Sequence, residues 1–383
     1  MAKKYDFTKV KDALEARIQK GIMPGAAVCV HIGGERVYEY CGGYSDVEKR
    51  TPLASDAIFR LCSMTKPVLA AAVLLQQDRG KLSVKDTVKK YLPAFANRKV
   101  GALDKDGKVR IVGDATRDMT IEDILTHGTG LGSGEVGEAT YPSALRAKTT
   151  SLAEMVDAYA EMPLDFSPGE KQLYSAIVAP DLAARIVELT ADMPYETFLQ
   201  ENIFKPLGMH DTGYTLTKEQ LARVVTLYRL NDEQDGMTRK NVPEGHEGFP
   251  LGSVSGATGM FGTRDDYAKF AEMLCGEGEY RGVRILSKEA VRVMRTPFYP
   301  MGFCGMDVYS NWGYTVRVRS EALANVQELT PQSYGWSGAY NTHFWVDPQR
   351  KLSAVMMSNL DNAGGAGSYT AFEFECNVMR SID

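Results

Sequence analysis

The pattern of apolar and polar residues changes from helical to strand-like near the start of the chain. Residues 7–20 place apolar side chains at helical spacing, which predicts an amphipathic helix. Residues 26–32 and 36–41 are rich in strand-forming side chains, and the Gly33-Gly34 pair between them is typical of a hairpin turn. We therefore expect one helix followed by two paired strands.

A continuous apolar run at residues 68–75 predicts a buried helix. Gly80 is expected to end it, because glycine suits the left-handed position that follows many helices. Helical patterns then alternate with loops rich in glycine and proline. The helices predicted in this middle part cover residues 121–127, 151–161, 181–190 and 195–204.

Strand patterns return beyond Gly256. Helices are predicted at 264–274, 288–294 and 369–380, and strands at 314–318, 343–347 and 352–358, with 340–347 interpreted as an edge strand. Strands near both ends with helices between them favour one sheet carrying an inserted helical part. We expect an α/β (α+β) protein in which residues 1–83 and 256–383 form a discontinuous sheet domain. Residues 84–255 would form an inserted, mainly helical domain.

Composition narrows the possible partners. The 383 residues include 44 basic and 49 acidic ones, a formal charge of −5, without a basic run, so nucleic acid is not an expected partner. No segment approaches the roughly 18 apolar residues of a membrane span, and we expect no membrane partner. The polar N-terminus lacks a secretory signal pattern, and the six cysteines form no C-x-x-C pair. A cytoplasmic protein with free thiols is therefore expected, of unknown oligomeric state.

Residues Ser63-Met64-Thr65-Lys66 carry the strongest chemical signal. Residues i and i+3 of a helix share a face, so Lys66 can reach the Ser63 hydroxyl. Pro67 is not tolerated in a helix interior, which places the helix start within about one turn of Ser63. A helix N-terminus and the following apolar run both disfavour an ammonium group, and a neutral lysine can activate a serine as a nucleophile. Cys62, beside Ser63, is expected to pack as a small apolar residue.

Two other segments are candidates for a site. Tyr174-Ser175-Ala176 follows a turn at residues 166–170, shortly before Pro180, which is expected to open a helix. Trp336-Ser337-Gly338-Ala339 precedes a predicted strand, and its small residues would let a ligand approach the backbone closely or simply form a tight bend.

The sequence does not match several familiar catalytic and ligand-binding motifs. Residues 335–339 miss the last glycine of G-x-S-x-G and would precede a strand, which argues against a nucleophile elbow. The glycine-rich stretch at 128–134 lacks G-K-[ST] and follows a helix, so it is interpreted as a loop after a helix C-terminus. The five histidines show no metal-binding spacing, and we expect neither a metal nor an organic cofactor.

The three segments SMTK at 63–66, YSA at 174–176 and WSG at 336–338 occur together and in order. In this the chain resembles the serine β-lactamase and penicillin-binding-protein superfamily, and it looks most like the class C β-lactamase-related family VIII carboxylesterases. The phrases at 125–131, 167–169, 206–209 and 259–261 support the likeness, which covers nearly the whole chain. The resemblance implies a β-lactamase-like fold, with an antiparallel sheet flanked by helices and an inserted, mostly helical lobe.

The resemblance also implies roles for individual residues. Ser63 would be the acylated nucleophile, Lys66 its base, and Tyr174 the shared base or proton relay at the leaving group. The backbone N–H groups of Ser63 and Ala339 would form the oxyanion hole. Which of Lys66 and Tyr174 takes the proton in each step stays open.

The chain departs from the β-lactamase pattern at two positions. Ala176 replaces the asparagine of Y-x-N, and Trp336 replaces the lysine of K-T-G. An aromatic wall at Trp336, next to Ser337 and Gly338, suits a neutral substrate group better than a carboxylate. We therefore expect hydrolysis of small carboxylic esters of short to medium acyl chain, with weak or no β-lactamase activity. An acyltransferase, an amide or D-peptide hydrolase and, less favoured, a non-catalytic binding or sensor protein are the alternatives.

Overall fold

The computed structural model describes residues 5–146, 150–242, 245–246, 249–300, 303, 310–320, 329–365 and 368–382. Its helices are α1 (Thr8–Gln19), α2 (Thr65–Asp78), α3 (Ile121–Leu125), α4 (Glu135–Thr140), α5 (Ser143–Arg146), α6 (Leu152–Tyr159), α7 (Val178–Ala191), α8 (Tyr195–Leu199), α9 (Lys205–Leu207), α10 (Lys218–Leu221), α11 (Arg264–Cys275), α12 (Lys288–Met294) and α13 (Tyr369–Ile382). A π-helical turn, Gln200–Phe204, joins α8 to α9, and short 3₁₀ turns occupy Cys62–Met64, Val88–Lys90 and Pro93–Phe95.

The two longest strands of the described residues lie near the start of the chain. They are β1 (Gly25–Ile32), β2 (Glu35–Asp46), β3 (Thr51–Pro52), β4 (Ile58–Arg60), β5 (Lys99–Leu103), β6 (Val109–Asp114), β7 (Tyr228–Leu230), β8 (Met237–Arg239), β9 (Gly245–His246), β10 (Phe249–Pro250), β11 (Phe261–Thr263), β12 (Glu279–Tyr280), β13 (Val283–Arg284), β14 (Ser310–Trp312), β15 (Arg317–Arg319), β16 (Tyr334–Gly338), β17 (Thr342–Asp347), β18 (Leu352–Met357) and β19 (Leu360–Asp361).

One antiparallel sheet organises the fold. Within the described residues it has eight strands in the order β14-β15-β16-β17-β18-β1-β2-β3. Strand β1, from the start of the chain, pairs with β18 from the end, with Val28 opposite Met356 and Val30 opposite Ala354. The two ends of the chain therefore share one sheet, as the sequence predicts.

Helices cover both faces of this sheet. On one face Val28 and Val30 pack with residues of α1 and α13, such as Leu14 and Phe374. On the other face Cys29 belongs to the large core that includes α2, α7 and α11. Because alternate strand residues point to opposite faces, strands covered on both sides are buried at successive positions, and β17 and β18 are buried along their full length.

Most of the predicted long elements are confirmed, with ends shifted by a few residues. The helices at the termini and the helix after Ser63 occur where the pattern indicates, and the predicted helix 288–294 coincides with α12. Pro180 lies in the first turn of α7 rather than at its first position, because the helix already begins at Val178. The assignment of residues 84–255 to a separate inserted domain stays a prediction.

The sequence interpretation of residues 334–347 is wrong in two respects. Residues Tyr334–Gly338 form strand β16, and β17 is not an edge strand, because it pairs with β16 on one side and β18 on the other. The two glycines of β16 lower its apparent strand propensity, although a close backbone approach requires one of them. A methyl group at Gly335 would overlap the backbone of Phe344 and Trp345 in β17.

The hairpin β5–β6 is also absent from the sequence interpretation, which assigned only helices and loops to this part. Its signal is present, since Asp106-Gly107 stands between two strand-like runs and Gly107 has a φ of +75°.

Gly335→Ala should destabilise the protein by about 3 kcal/mol, because the added methyl group forces β16 away from β17. Gly113→Ala in β6 is a matched control, since a methyl group there meets nothing within 4 Å. Urea unfolding followed by fluorescence measures both variants. Equal stabilities of the two variants would contradict the close packing of β16 on β17.

Candidate active site

Ser63 lies in the 3₁₀ turn Cys62–Met64, directly before α2. The residue before it, Cys62, has a φ of +48°, a left-handed conformation that residues with a β-carbon seldom adopt. Such backbone strain costs on the order of 1–3 kcal/mol and persists only where the surrounding structure enforces it. The Ser63 side chain stays partly exposed while both neighbours are buried.

Neighbouring residues hold this turn in its strained backbone conformation. The Leu61 N–H donates to the Met260 carbonyl at 2.9 Å, and the Tyr267 hydroxyl donates to the Met64 carbonyl at 2.8 Å. Strand β16 lies so close that a methyl group at Gly338 would overlap the Leu61 carbonyl oxygen. The small residue at 338 therefore accommodates the backbone that precedes Ser63.

Lys66 occupies the first turn of α2 and is completely buried. Its Nζ is 3.2 Å from Ser63 Oγ, 2.7 Å from the Ala176 carbonyl oxygen and 3.1 Å from the Ala257 carbonyl oxygen. Burying an amine is unfavourable unless it is hydrogen-bonded, and these three oxygens supply the partners. A neutral amine placed here donates its two N–H bonds to the carbonyls and directs its lone pair at the Ser63 hydroxyl.

Tyr174 is brought to Lys66 by a loop that packs along residues 127–131. The Leu173 N–H donates to the His127 carbonyl at 3.0 Å, and the Ser175 hydroxyl donates to the Leu131 carbonyl at 2.9 Å. These bonds fix the backbone on both sides of Tyr174. The Lys66 Nζ consequently lies 4.9 Å from the centre of the Tyr174 ring.

Aromatic rings enclose this side of the site. Trp336 Nε1 donates to the Tyr174 hydroxyl at 3.4 Å, and the two ring centres are 5.5 Å apart. Trp312 lies 4.5 Å from Trp336 and 6.0 Å from Tyr174, and His127 lies 4.5 Å from Tyr174 and 4.8 Å from Trp312, all between ring centres. A wall of mutually tilted aromatic rings therefore lies next to the Ser63–Lys66 pair.

His127 contributes a neutral ring to this wall. It is completely buried with a φ of +60°, and neither ring nitrogen has a hydrogen-bond partner among the described residues. Burial holds the pKa of His127 well below its usual range. The imidazole therefore stays uncharged at neutral pH and does not add a positive charge to the site.

The segment 336–339 is divided between two faces of the sheet. Trp336 faces Tyr174, whereas Ser337, the next residue of β16, points to the opposite face. There its Oγ lies 2.7 Å from His343 Nδ1, and His343 Nε2 lies 3.0 Å from Glu375 Oε1 on α13. The Ser337 side chain is therefore buried in a separate network, and the substrate-binding role expected for Trp336, Ser337 and Gly338 stays a prediction.

Ala339 follows β16 in the turn to β17 and is exposed. It directly follows Gly338, whose close approach to the Leu61 carbonyl brings this end of β16 beside the turn that carries Ser63. Its predicted role as a backbone donor stays a prediction.

Cys62 is buried with Leu227 and Tyr340, as predicted for a small apolar residue. Burial raises the pKa of its thiol to about 12. A nucleophilic thiolate is therefore disfavoured next to Ser63. The five cysteines within the described ranges form no disulfide bond with one another, and Cys304 lies outside these ranges.

The sequence of the chain matches the profile of the family described as "Beta-lactamase" over residues 10–372. The chain belongs to the beta-lactamase family. The resemblance predicted from the three motifs is thereby confirmed, and so is the β-lactamase-like fold, with its antiparallel sheet flanked by helices.

Two relatives and one solved structure are similar to the chain over most of its length. Protein Rv1367c from Mycobacterium tuberculosis is 33% identical over 325 residues, which cover 81% of this chain and 79% of that protein. Esterase EstB from Burkholderia gladioli is 28% identical over 370 residues, with 90% and 88% covered. The structure of EstCE1, described as a hydrolase with promiscuous acyltransferase activity, superposes with a TM-score of 0.80 at 21% identity, covering 98% and 97%. The beta-lactamase-family chain is thus a hydrolase of this superfamily.

Sequence reasoning found the residues that meet at Ser63 but missed part of their surroundings. Ser63, Lys66, Tyr174 and Trp336 lie together, although they come from distant parts of the sequence. Trp312 and the carbonyl of Ala257 were missed, because neither carries a recognisable motif. His127 lies within a phrase that supported the resemblance, yet its place beside Tyr174 follows only from the fold.

The described part of the chain lacks two features that other proteins use for membrane insertion and metal binding. No helix there has the length and apolarity that crossing a membrane requires. No cluster of three or more His, Cys, Asp or Glu side chains in those ranges is arranged to hold a metal ion.

Native Cys62 should resist iodoacetamide at pH 8, because a thiol with a pKa of about 12 is almost entirely protonated there. Peptide mass spectrometry should find it modified only after unfolding in guanidinium chloride. The small peptide glutathione is added as an internal control, and its single thiol should react fully. Rapid modification of native Cys62 would show that the thiol is accessible and ionised.

Proposed function

We propose that this beta-lactamase-family protein hydrolyses carboxylic esters of short to medium acyl chain through an acyl-enzyme on Ser63. The observation that carries the proposal is the buried amine of Lys66, 3.2 Å from Ser63 Oγ and otherwise bonded to two carbonyl oxygens. A hydroxyl becomes a useful nucleophile when such a base removes its proton. The 28% identity to Esterase EstB supports an ester substrate.

The acylation step follows from the positions of three side chains. Lys66 accepts the Ser63 proton as Ser63 Oγ attacks the ester carbonyl carbon, and a tetrahedral intermediate forms. Tyr174, whose ring lies 4.9 Å from Lys66 Nζ, relays a proton to the departing alcohol. Water then attacks the acyl group on Ser63 and gives a proton to the Lys66–Tyr174 pair, which passes a proton to Ser63 Oγ as the acid is released.

Backbone donors stabilise the negative charge that develops on the ester oxygen. The N–H groups of Ser63 and Ala339 are the proposed oxyanion hole, each worth on the order of 3 kcal/mol of transition-state stabilisation. The contact between Gly338 and the backbone at Leu61 supports this pairing, because it brings the end of β16 beside the Ser63 turn. Gly338 thus acts here as a spacer between the two donors.

The aromatic wall indicates which substrates fit. Trp336 stands where a β-lactamase has a cation for the substrate carboxylate, and its ring packs against Tyr174 and Trp312. An apolar wall of this kind favours neutral esters over anionic β-lactams. We place the enzyme in the cytoplasm, acting on a small-molecule ester without a metal or organic cofactor, nucleic acid or membrane as partner.

The alternatives differ in whether an acyl-enzyme forms, in the leaving group from which it forms, and in what it does next. An acyltransferase would pass the acyl group to an alcohol or amine, and an amide or D-peptide hydrolase would form the acyl-enzyme from a different leaving group. Adding a primary alcohol during p-nitrophenyl butyrate turnover separates the first case, because transfer yields a new ester instead of butyrate. A sensor protein would bind the ester without turnover.

Lys66→Ala and Tyr174→Phe should each lower kcat for p-nitrophenyl butyrate at least ~10²-fold, because each removes a group that moves a proton. The exposed residues Lys81 and Tyr44 provide matched control variants, Lys81→Ala and Tyr44→Phe, which should keep full activity. A near wild-type rate in either site variant would remove that residue from the proposed mechanism.

Hydrolysis of p-nitrophenyl butyrate should exceed hydrolysis of the cephalosporin nitrocefin by orders of magnitude. The physical reason is the aromatic ring of Trp336 in place of a cation that would bind the β-lactam carboxylate. Comparison of kcat/KM for the two substrates checks this expectation. Comparable values would contradict the proposed substrate class.

A further inference from the structure

A buried carboxylate that belongs to none of the sequence motifs contacts a backbone segment that binds Lys66. Asp181 stands in the first turn of α7, completely buried, and its Oδ2 accepts a hydrogen bond from the Tyr159 hydroxyl at 3.1 Å. A buried carboxylate requires several donors, and the first turn of a helix favours a negative charge. The remaining donors come from the segment that carries one of the two carbonyls bonded to Lys66.

The segment 255–257 wraps around the Asp181 carboxylate. The Gly256 N–H donates to Asp181 Oδ1 at 2.9 Å, and the Ser255 hydroxyl donates to the same oxygen. The Ala257 N–H in turn donates to Ser255 Oγ at 3.1 Å. Every one of these contacts restricts the peptide groups that precede the Ala257 carbonyl.

Close packing adds a steric constraint to these hydrogen bonds. A methyl group at Gly256 would overlap the carbonyl oxygen of Pro180, the residue before Asp181. The segment therefore lies directly against the start of α7. From there the Ala257 carbonyl reaches Lys66 Nζ at 3.1 Å.

The other carbonyl bonded to Lys66 is held by the same end of α7. Ser175 Oγ accepts the Ala179 N–H at 3.0 Å and donates to the Leu131 carbonyl, which fixes the backbone next to Ala176. The Ala176 carbonyl accepts from Lys66 at 2.7 Å. Both acceptors of the lysine thus depend on contacts at the N-terminus of α7.

We propose that Asp181 is a positioning residue that, through Ser255, Gly256 and the Ala257 carbonyl, aims the Lys66 amine at Ser63. It touches neither substrate nor Ser63. If the Ala257 carbonyl turns away, the amine loses one of two N–H acceptors and its lone pair is no longer directed at the serine hydroxyl. This inference rests on the proposed function of Ser63 and Lys66, and it adds the element that orients them.

The test measures how fast Ser63 reacts with a fluorophosphonate, a reagent that phosphonylates activated serines. Asp181→Ala should lower the rate constant at least ~10-fold, because misplacing a reacting group by about 1 Å costs rates of this order or more. At the end of the reaction, each folded molecule should still carry one fluorophosphonate label. A merely structural role would reduce the labelled fraction and leave the rate constant of the remaining molecules unchanged.

Asp181→Asn separates positioning from packing. The asparagine oxygen can accept from the Gly256 N–H and the Ser255 hydroxyl. The logarithm of the labelling rate constant of this variant should therefore lie at least halfway from the Asp181→Ala value to the wild-type value. Ser255→Ala, which removes the acceptor of the Ala257 N–H, should again slow labelling. For p-nitrophenyl butyrate, kcat should fall in parallel while KM stays within about twofold.

Asp266 provides a matched control elsewhere in the fold. It is also buried, and its carboxylate accepts from the Asp211 N–H at 2.7 Å and the Thr212 hydroxyl at 3.2 Å, without contact to Lys66. Asp266→Ala should lower the melting temperature but keep the wild-type rate constant for labelling. Equal slowing in the Asp181 and Asp266 variants would overturn the proposal, and so would a wild-type rate in Asp181→Ala.

The labelling assay also separates this inference from the proposed ester substrate. If the wild-type protein is labelled on Ser63 but does not hydrolyse the ester, the substrate assignment fails and the rate constants still decide the role of Asp181. If wild-type Ser63 is not labelled at all, the activated serine and its positioning residue are both contradicted.

Discussion

The hydrogen bonding of one buried amine determines how the rest of this site is built. Lys66 Nζ is removed from water, and three oxygen atoms of the described residues surround it. One belongs to Ser63, and the other two are carbonyls from loops that lie far away in the sequence. Bringing them together requires α2, the loop before α7 and the segment before β11 to meet at one point. The amine is useful chemically because its surroundings leave only the serine hydroxyl for its lone pair.

The sheet serves this arrangement by holding strand β16 in the interior. Its two glycines permit backbone contacts that no other residue allows, Gly335 against β17 and Gly338 against the turn that carries Ser63. Between them, Trp336 points toward Tyr174 while Ser337 joins His343 and Glu375 on the opposite face. Strand β16 therefore contributes an aromatic side chain to the site on one face of the sheet and a serine to a buried polar network on the other face.

The sequence predicts the parts of this protein that depend on local patterns. The helix after Ser63 and the strands β1, β17 and β18 follow from apolar periodicity, and the Ser63–Lys66 contact follows from helical spacing. The strand β16 could not be predicted, because close packing against distant residues, and not strand propensity, makes it extended. The same reason hides Asp181 and the Ala257 carbonyl, whose importance arises from contacts across many residues of chain. The bonding of the Ser337 side chain to His343 could not be predicted either, because a motif does not state which face of a strand its residues occupy.

The most direct test of the account is the identification of the acylated residue. The protein is mixed with p-nitrophenyl butyrate, quenched in acid during the first turnovers, digested and examined by mass spectrometry. The account predicts one butyryl group on the peptide that carries Ser63, and neither this adduct nor hydrolysis in Ser63→Ala. Hydrolysis that continues undiminished in Ser63→Ala, or a butyryl group on another residue during turnover, would contradict it.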